Sequence, residues 1–434
     1  MLKINVIGAG LAGSECALTL ASLGYTVNLY DIKTKSKTPA HHNTDFAEIV
    51  CSNSLKSDDE FTASGLFKRE LTLLNSKLLE VAYKHKVPSG SALAVDREAF
   101  AKEVTEKIKN NPNINIFCED VGSFDKNAIT IIATGPLSTT NMCNALKEIL
   151  GEDFLYFYDA AAPIISADSI DMNIAFLASR YNKGDADYIN CPMDKDEYTA
   201  FYNELVNAEV VQLHNFEKQH IFESCMPVEI MAKRGYDALR YGPLKPVGIT
   251  NPYKKDKAFA VIQLRKENKY ATMYNMVGFQ TNLTFPEQRR VFRMIPGLKN
   301  AEFLRYGVMH TNNFINFPKC LDVYSRLKVN KNIFIAGQLS GVEGYVESIA
   351  SGLYVALNVD RQLKGKELIK FSANTIIGGL YNYLVSANST NFQPINANYG
   401  ILNPLKEKNK QLRNEQYLNR SLAEIKEIVK LLKE

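Results

Sequence analysis

Two cysteines stand in polar surroundings where a thiol could act as a reagent. Cys51 ends the apolar run of "FAEIVCSNSLKS" and is followed by three polar residues, whereas Cys225 lies in "IFESCMPVEIMAKRG". Cations next to a thiol, such as Lys233 and Arg234 after Cys225, favour its nucleophilic thiolate form. A buried structural role is the alternative for both cysteines, since an unreactive Cys behaves as a small apolar residue.

The spacing of the cysteines excludes two common kinds of thiol chemistry. The chain has seven, and the closest pair is 25 residues apart: Cys16, Cys51, Cys118, Cys143, Cys191, Cys225 and Cys320. Without a C-x-x-C pair we expect neither a dithiol redox centre nor a zinc knuckle, and no other metal site is indicated. The odd count and the lack of a secretory signal favour the reducing cytoplasm. No apolar run approaches the ~18 residues of a membrane span.

A glycine-rich turn near the N-terminus has the residues that bind a dinucleotide. The segment "KINVIGAGLAGSECALTLASLGYTVNLYD" has the order strand, turn, helix, strand and acid. Glycines permit the sharp turn and the close approach of backbone to a pyrophosphate, and the helix N-terminus favours phosphate. The terminal acid can accept hydrogen bonds from a ribose 2′-hydroxyl. The candidate residues are Gly8, Ala9, Gly10, Leu11, Ala12, Gly13 and Asp31.

Two later segments favour FAD over NAD as the tightly bound cofactor. "AITIIATGP" and "KNIFIAGQLSGVEGYVESIASGLYVALNV" resemble the second and the C-terminal cofactor elements of glutathione-reductase-like flavoproteins. In that arrangement the N-terminus of the late helix points at the flavin. Gln338 stands where those proteins usually carry Asp. The candidate residues are Ala133, Thr134, Gly135, Gly337, Gln338, Gly341, Glu343 and Tyr345.

The elements that position these residues are far apart in sequence. We expect an α/β protein with a doubly wound, Rossmann-like FAD-binding domain built from residues 1–92, 122–184 and 329–434. Residues 93–121 and 185–328 would form an inserted α+β domain that meets the substrate. The helical spacing of apolar residues between 406 and 433 predicts a C-terminal helix that packs on the body of the protein.

The inserted part contains a strongly basic stretch. Between residues 231 and 269, ten Lys or Arg stand against three acids, whereas the whole chain has a net charge of only +4. One interpretation is a solvated surface. The other is a surface that binds the phosphate backbone of RNA.

Several blocks, in order from the N-terminus to about residue 402, resemble a single family. They include "VIGAGLAGSECA", "TPAHHNTDFAEIVCSNSLKS", "ALAVDREAFA", "FESCMPVEIMAKRGYDALRYGPLKPVG", "RYGVMHTNNFIN", "AGQLSGVEGYVESIASG" and "FQPINANYGIL". By these blocks the chain is identified as a member of the folate- and FAD-dependent tRNA (uracil-5-)-methyltransferases, TrmFO. The related flavoprotein MnmG shares the glycine fingerprint but lacks the middle blocks.

The resemblance implies a reaction. 5,10-Methylenetetrahydrofolate donates a methylene carbon, FAD mediates its transfer to C5 of a uridine and supplies the hydride, and NADH or NADPH restores reduced FAD. Cys225 would attack uracil C6, and Cys51 would be a second active-site thiol that takes the C5 proton, although the reverse division of roles stays open. His310 would stack the folate pterin against the flavin, and Glu343 and Tyr345 would lie near its reactive edge.

The RNA target has two interpretations within this resemblance. The usual family substrate is the T-loop uridine of tRNA, and phosphate contacts are expected from Arg234, Arg240, Lys245 and Arg265. A paralogous branch, RlmFO, methylates a uridine of 23S ribosomal RNA, and the Asn- and Lys-rich composition favours that option. A third, more remote hypothesis is an FAD oxidoreductase that acts on a small molecule, with the basic stretch merely solvated.

The chain departs from the family pattern in two places that bear on the RNA target. Ser224 replaces the glycine that commonly precedes the nucleophilic cysteine. The residues after the Cys51 block include Asp58, Asp59 and Glu60, which make a loop expected to meet RNA unusually acidic. Neither change removes a chemical group that the reaction needs.

Overall fold

The computed structural model describes residues 3–36, 41–125, 127–151, 155–182, 185–211, 226–253, 257–268 and 270–433. Its strands are β1 Ile4–Ile7, β2 Val27–Tyr30, β3 Ser54–Ser57, β4 Lys86–Val87, β5 Ala92–Val95, β6 Ile114–Phe117, β7 Ile129–Ile132, β8 Leu155–Ala160, β9 Ile164–Ser166, β10 Phe176–Ala178, β11 Tyr188–Met193, β12 Ala260–Lys266, β13 Met273–Met276, β14 Phe303–Arg305, β15 Met309–Phe314 and β16 Ile333–Ile335. Its helices are α1 Leu11–Ser22, α2 Ala63–Leu73, α3 Lys77–Lys84, α4 Arg97–Lys109, α5 Thr140–Leu150, α6 Lys195–Asn207, α7 Val228–Ala232, α8 Ala238–Tyr241, α9 Phe285–Phe292, α10 Phe317–Cys320, α11 Tyr345–Leu363, α12 Ile376–Ser386 and α13 Lys410–Lys433.

Five parallel strands form the sheet that carries the glycine turn, in the order β16-β7-β1-β2-β6. The sequences of β1, β7 and β16 are almost entirely apolar and buried, as expected for parallel strands covered on both faces. Helices α1 and α11 pack closely on each other: a Cβ at Gly352 of α11 would lie 2.1 Å from the carbonyl oxygen of Ala12. The predicted doubly wound, Rossmann-like fold is confirmed.

A second sheet has six strands in the order β10-β11-β12-β13-β9-β14, and all its pairs are antiparallel. Side chains from α6, α7 and α9 form a separate hydrophobic core with this sheet. A two-stranded ribbon, β15-β8, and a three-stranded sheet, β3-β5-β4, complete the strand pairing. This is the α+β unit expected between the segments of the first sheet.

Two segments pair with a different sheet from the one that the predicted domain boundaries give them. β6 pairs in parallel with β2 and so lies in the first sheet, although residues 93–121 were expected in the inserted domain. β9 and β10 pair within the six-stranded sheet, so residues 164–178 belong to the inserted domain and not to the FAD-binding one. These strands have only three or four residues, and their sequences do not specify which sheet offers the complementary edge.

The C-terminal helix α13 packs against α2, as its apolar spacing predicts. Ile425, Leu418 and Ser421 are buried at this contact. The Glu70 carboxylate of α2 joins three helices there, because it accepts hydrogen bonds from the Ile376 and Ile377 amides at the start of α12 and from the Ser421 hydroxyl of α13.

Within the described ranges, no helix combines the length and apolar composition needed to cross a membrane. The same residues include no group of three or more His, Cys, Asp or Glu side chains placed as metal ligands.

Candidate active site

The glycine turn between β1 and α1 is packed so tightly that only glycine fits at two positions. Gly8 has a φ of +98°, and a Cβ there would lie 2.5 Å from the Ala133 carbonyl oxygen. A Cβ at Gly13 would lie 1.8 Å from the carbonyl oxygen of Gly8. By contrast, nothing stands within 4 Å of the Cβ position of Gly10, so the backbone there is open to a ligand. This is the cradle that a pyrophosphate needs.

The Asp31 carboxylate at the end of β2 holds the turn in place. Its Oδ2 accepts a hydrogen bond of 2.7 Å from the Ala9 amide, and its Oδ1 accepts one of 2.8 Å from the Lys33 amide. Asp31 also lines the adjoining cavity, so a ribose hydroxyl can reach the same carboxylate. The acid therefore serves the turn as well as the position where a ribose is expected.

A first cavity of about 190 Å³ runs along this turn. Gly337, at the end of β16, donates its amide to the Ser351 hydroxyl, and a Cβ on it would meet Ala12 at 2.8 Å. The fit of the residues to an FAD is therefore good: open backbone at Gly10, an acid at Asp31 and a helix N-terminus at α11. The predicted residues that line the cavity are Gly8, Gly10, Leu11, Ala12, Asp31, Ala133, Thr134, Gly135, Gly337, Gln338 and Tyr345.

The other predicted cofactor residues lie beside this cavity. Ala9 and Gly13 shape the turn from behind. Gly341 has a φ of +92° and packs against Phe392, so it is required by the backbone and does not line a cavity. Glu343 lines a second cavity and accepts a 2.6 Å hydrogen bond from the Gln338 side chain.

The second cavity, of about 270 Å³, contains Cys51. It adjoins the first cavity, because both are lined by Val50, Pro136, Leu137, Gln338 and Tyr345. A group bound in the first cavity can therefore reach the space in front of Cys51. Cys51 is half-buried and lines the second cavity, outside the hydrophobic core, and its role as a reagent stays a prediction.

The phenol of Tyr345, the first residue of α11, holds residues 49–53 in place, and we call this segment the Cys51 loop. The Tyr345 Oη accepts hydrogen bonds from the amides of Cys51 (2.7 Å) and Ser52 (3.1 Å). Burial, together with the charge of Cys51, raises the pKa of Tyr345 well above its ordinary range, so the phenol stays neutral. The helix that faces the first cavity thus also fixes the backbone of the thiol.

Arginines from both domains surround the same loop. Arg97 donates to the carbonyl oxygens of Ile49 and Val50 at 3.2 Å, and it forms a 2.6 Å ion pair with the buried Glu267 of the inserted domain. Arg265 donates to Asn53 at 2.9 Å and to the Ser52 hydroxyl at 2.6 Å. Such cations favour the thiolate form of a nearby cysteine.

Arg305 adds a third guanidinium to this group. Its Nε and Nη2 are buried without a hydrogen-bond partner among the described residues. Burial first, and the charge of Arg97 second, lower the pKa of Arg305, while the charge of Cys51 opposes that shift. The Arg305 side chain is half-buried, and its two unused donors suit an anionic or carbonyl-bearing ligand.

Glu347, in the first turn of α11, presents an acceptor to the second cavity. Its Oε1 binds Lys56 Nζ and the Ala397 amide, both at 2.9 Å. Its Oε2 is buried and has no hydrogen-bond partner among the described residues. The Glu347 side chain is only 1% exposed, and its Oε2 leaves an unused acceptor in the wall of the second cavity.

Two predicted catalytic positions lie outside what the structure describes. Cys225 and its neighbour Ser224 fall in the segment 212–225, which is not among the described residues. His310 lies in β15, where its backbone pairs opposite Asp159, but its side chain is outside the description. Asn312, two residues further along β15, lines the second cavity. The roles of Cys225 and His310 therefore stay predictions.

The residues expected to contact RNA do not form one surface. Arg234 and Lys245 are exposed, as a phosphate contact requires. The Arg240 guanidinium lies 3.6 Å from the centre of the Phe259 ring and pairs with Asp237, so it is engaged within the domain. Arg265 is buried against the Cys51 loop, which corrects its assignment from RNA binding to loop positioning.

The acidic residues after the Cys51 block are largely neutralised by local partners. Asp58 accepts a hydrogen bond from the Tyr83 hydroxyl and pairs with Lys86 at 3.4 Å. Glu60 pairs with Arg69 at 3.6 Å, and Asp59 accepts from the Phe61 amide. The carboxylates of Asp58 and Glu60 are therefore each paired with a cation at this surface.

Sequence reasoning missed Arg97, Glu267, Arg305 and Glu347. Arg97 lies in the block "ALAVDREAFA" and Glu347 in "GVEGYVES", so the family resemblance already marked both stretches. No local signal marks Glu267, because its pairing with Arg97 spans 170 residues and depends on how the two domains meet.

Comparison with known proteins agrees with this geometry. The family model described as glucose inhibited division protein A matches residues 3–367. The solved structure of Aquifex aeolicus GidA is similar over 98% of this chain and 73% of that chain, with a TM-score of 0.71 at 15% identity. At that identity the likeness concerns the fold alone.

Curated relatives are much more similar in sequence. A protein of Natranaerobius thermophilus named methylenetetrahydrofolate–tRNA-(uracil-5-)-methyltransferase TrmFO is 52% identical over 429 residues, covering 99% of both chains. Proteins with the same name from Acetivibrio thermocellus and Bacillus subtilis are 53% and 49% identical, over 98% and 99% of this chain.

Proposed function

Because the chain belongs to the TrmFO family of the GidA-like flavoproteins, we propose that it is a methylenetetrahydrofolate–tRNA-(uracil-5-)-methyltransferase. It methylates C5 of a uridine in tRNA, using FAD and 5,10-methylenetetrahydrofolate. We propose NADH or NADPH as reductant and, since reduced folate and tRNA meet there, the cytoplasm as its location.

The observation that best supports the proposal is that Cys51 lines a cavity that adjoins the dinucleotide cradle. A thiol in the wall of that second cavity would be next to the space that the residues of the cradle would offer to a flavin. A small-molecule FAD oxidoreductase would not need a thiol here, nor three guanidinium groups around its loop.

The chemistry explains why thiols are needed. Uracil C5 is a poor nucleophile until a thiolate adds to C6, which turns the C4 carbonyl into an enolate and makes C5 electron-rich. When bound, FAD supplies the one-carbon carrier and the hydride that completes the methyl group. The proton of C5 must leave to a base before the hydride completes the methyl group, and expulsion of the thiolate from C6 then restores the C5–C6 double bond.

We assign these steps to two cysteines. Cys225 is the proposed nucleophile at C6 and Cys51 the proposed base for the C5 proton, with Arg97, Arg265 and Arg305 favouring the thiolate form of Cys51. Tyr345 fixes the Cys51 backbone, and the unused oxygen of Glu347 is placed to accept a hydrogen bond from the N–H edge of a pterin or a uracil. His310 is proposed to stack on the folate pterin.

The usual target of the family, the T-loop uridine, is our proposed position in tRNA. A uridine of 23S ribosomal RNA is the alternative within the same chemistry. Asp58 pairs with Lys86 and Glu60 pairs with Arg69, so less negative charge is left in this loop to repel a tRNA.

The test uses the FAD-loaded protein with NADPH and methylenetetrahydrofolate labelled with carbon-13 in the methylene group. Unmodified tRNA and unmodified ribosomal RNA are incubated separately, digested and analysed by nucleoside mass spectrometry. We expect labelled 5-methyluridine in tRNA, none without folate, and none with Cys51→Ala. Product in ribosomal RNA alone would change the target, and product in neither would refute the proposed function.

A further inference from the structure

Three aromatic rings are stacked at the edge of the inserted domain, and we name them the aromatic ladder: Phe303, Tyr306 and Phe285. Tyr306 is the middle ring. Its centre lies 5.3 Å from that of Phe303 at an interplanar angle of 10°, and 4.7 Å from that of Phe285 at 15°. Phe303 rests on the buried Phe292 of α9, so the ladder is anchored in the core of the domain.

The outer ring of the ladder is exposed. Phe285 is 49% exposed, although its inner face is covered by Tyr306. An aromatic ring with one face on a parallel stack and the other toward solvent offers a flat surface on which a further planar ring can continue the stack.

A cation stands next to this surface. Arg289, one turn along α9 from Phe285, donates to the Tyr306 hydroxyl through Nε (3.0 Å) and Nη2 (2.6 Å), and its guanidinium lies 5.8 Å from the centre of that ring. The side chain is exposed and has no carboxylate partner among the described residues, whereas the adjacent Arg290 is paired with Glu287 and Glu204. A fixed, unneutralised guanidinium beside a stacking surface suits a phosphate that follows a stacked base.

The ladder is tied to the wall of the second cavity. The buried Gln288 of α9 binds both the amide and the carbonyl oxygen of Gly307, the residue after Tyr306. A Cβ at Gly307 would lie 2.7 Å from the carbonyl oxygen of Ala161, which lines the cavity. Strand β14 lies just before Gly307. Its last residue, Arg305, interacts electrostatically with Cys51, and its first residue, Phe303, stacks on Tyr306 in the ladder.

We propose that the aromatic ladder is a docking surface for an unpaired base of the RNA substrate, which stacks on Phe285 while Arg289 contacts an adjoining phosphate. This inference rests on the proposed function, because it assumes that the substrate is RNA. A uridine can enter the second cavity only if it leaves its own stack, so its neighbours need a place to stack, and the ladder is connected to the wall of that cavity through Gly307.

The experiment measures binding of fluorescein-labelled, unmodified tRNA to the FAD-loaded full chain by fluorescence anisotropy. Loss of a base–aromatic stack predicts that Phe285→Ala raises Kd by roughly 5- to 100-fold, whereas Phe285→Tyr, which keeps the ring, stays within about threefold of wild type. The matched control is Leu304→Ala: Leu304 is also 49% exposed and next to the ladder residue Phe303, but it has no ring. We expect its Kd to equal that of wild type.

Salt dependence separates stacking from phosphate binding. Arg289→Gln should lower the slope of log Kd against log salt by about 0.9, the effect of one phosphate contact, and Phe285→Ala should leave that slope unchanged. FAD content and melting temperature of each variant establish that it is folded.

Three results would overturn the inference. Phe285→Ala could bind tRNA as tightly as wild type, or Leu304→Ala could weaken binding as much as Phe285→Ala does, which would indicate a general apolar contact. Phe285→Ala could also alter only the oligomeric state in size-exclusion chromatography, which would make the ladder a protein contact. In each case wild type still forms 5-methyluridine in tRNA, so failure of the ladder is distinguishable from failure of the proposed function.

Discussion

At the scale of single residues, the position of Cys51 depends on contacts made to its backbone by distant side chains. Tyr345 accepts from two successive amides, while Arg97 binds the carbonyl oxygens just before them. Amides and carbonyl oxygens of this stretch are therefore both bonded, which restrains the backbone that carries the thiol in the wall of the second cavity. A residue that acts as a base must be held within hydrogen-bond reach of its proton.

We expect Tyr345→Phe to slow methylation through this backbone contact. The change keeps the ring but leaves the Cys51 and Ser52 amides without their acceptor, which costs roughly 1–3 kcal/mol for buried donors. Formation of 5-methyluridine should fall about tenfold or more, while FAD content stays near that of wild type.

A tyrosine on the same helix provides the control for that prediction. Tyr354 is fully buried, donates to the Val323 carbonyl oxygen at 2.9 Å and lines neither of the two cavities. Tyr354→Phe should lower the melting temperature without slowing methylation. Equal activity of wild type and Tyr345→Phe would show that the loop does not need the phenol.

The sequence predicted the glycine turn and Cys51 as candidate site residues, because each leaves a local pattern. A Cβ at Gly13 would meet Gly8 within one βα unit, which a spacing rule captures, whereas the close approach at Gly8 is to Ala133 after β7 and depends on how the sheet is assembled. Arg265 shows the limit of this reasoning. Its charge suggested a phosphate contact, but its guanidinium is used inside the protein, and burial of a charged side chain is set by tertiary packing that one sequence does not reveal.

At the scale of elements, the helices were easier to predict than the sheet membership of the strands. α11 has long apolar periodicity and a glycine loop before it, so its place at the cofactor followed from the sequence. β6 and β9 have four and three residues, and they pair with strands 84 or more residues away in sequence. Such pairing is decided by the edges that the packed helices leave open.

Glu70 makes the packing of three helices depend on pH. Burial raises its pKa to about 7 against the opposing effect of its hydrogen bonds with Ser421, Ile376 and Ile377. A carboxyl group whose pKa is raised by folding stabilises the protein below its unfolded pKa, and this contribution is lost as pH rises through the folded pKa. Stability should therefore decline between about pH 4.5 and 7 because of this group.

The measurement compares melting temperatures of wild type and Glu70→Gln from pH 5 to 8. Gln cannot ionise, so wild type should lose stability relative to the variant as pH rises, by roughly 1–3 kcal/mol across the range. Glu427→Gln changes an exposed ion pair on α13 and should leave the pH dependence unaltered. A difference between wild type and Glu70→Gln that does not vary with pH would mean that Glu70 does not titrate in this range.

At the scale of the whole molecule, side chains from both domains contact the Cys51 loop. The FAD-binding side supplies Tyr345 and Arg97, and the inserted domain supplies Arg265 and Glu267. The inserted domain therefore does more than present a surface to RNA, because it completes the environment of the thiol. This arrangement offers a physical route by which a change in the inserted domain can alter chemistry at the cofactor.

The Arg97–Glu267 ion pair is a largely buried contact between the two domains. Glu267 is 1% exposed and Arg97 12%, so removing one charge leaves the other buried and uncompensated, which typically costs roughly 3–5 kcal/mol. We expect Glu267→Gln to displace the Cys51 loop, so that methylation falls at least tenfold while the glycine cradle, and with it FAD content, is retained.

Glu204→Gln is the matched control, because Glu204 pairs with Arg290 at an exposed position of the same domain. An exposed pair contributes little to stability, so methylation and melting temperature should stay close to those of wild type. The decisive comparison is the ratio of methylation rate to bound FAD in each variant. If that ratio is the same for Glu267→Gln and wild type, the inserted domain does not position Cys51.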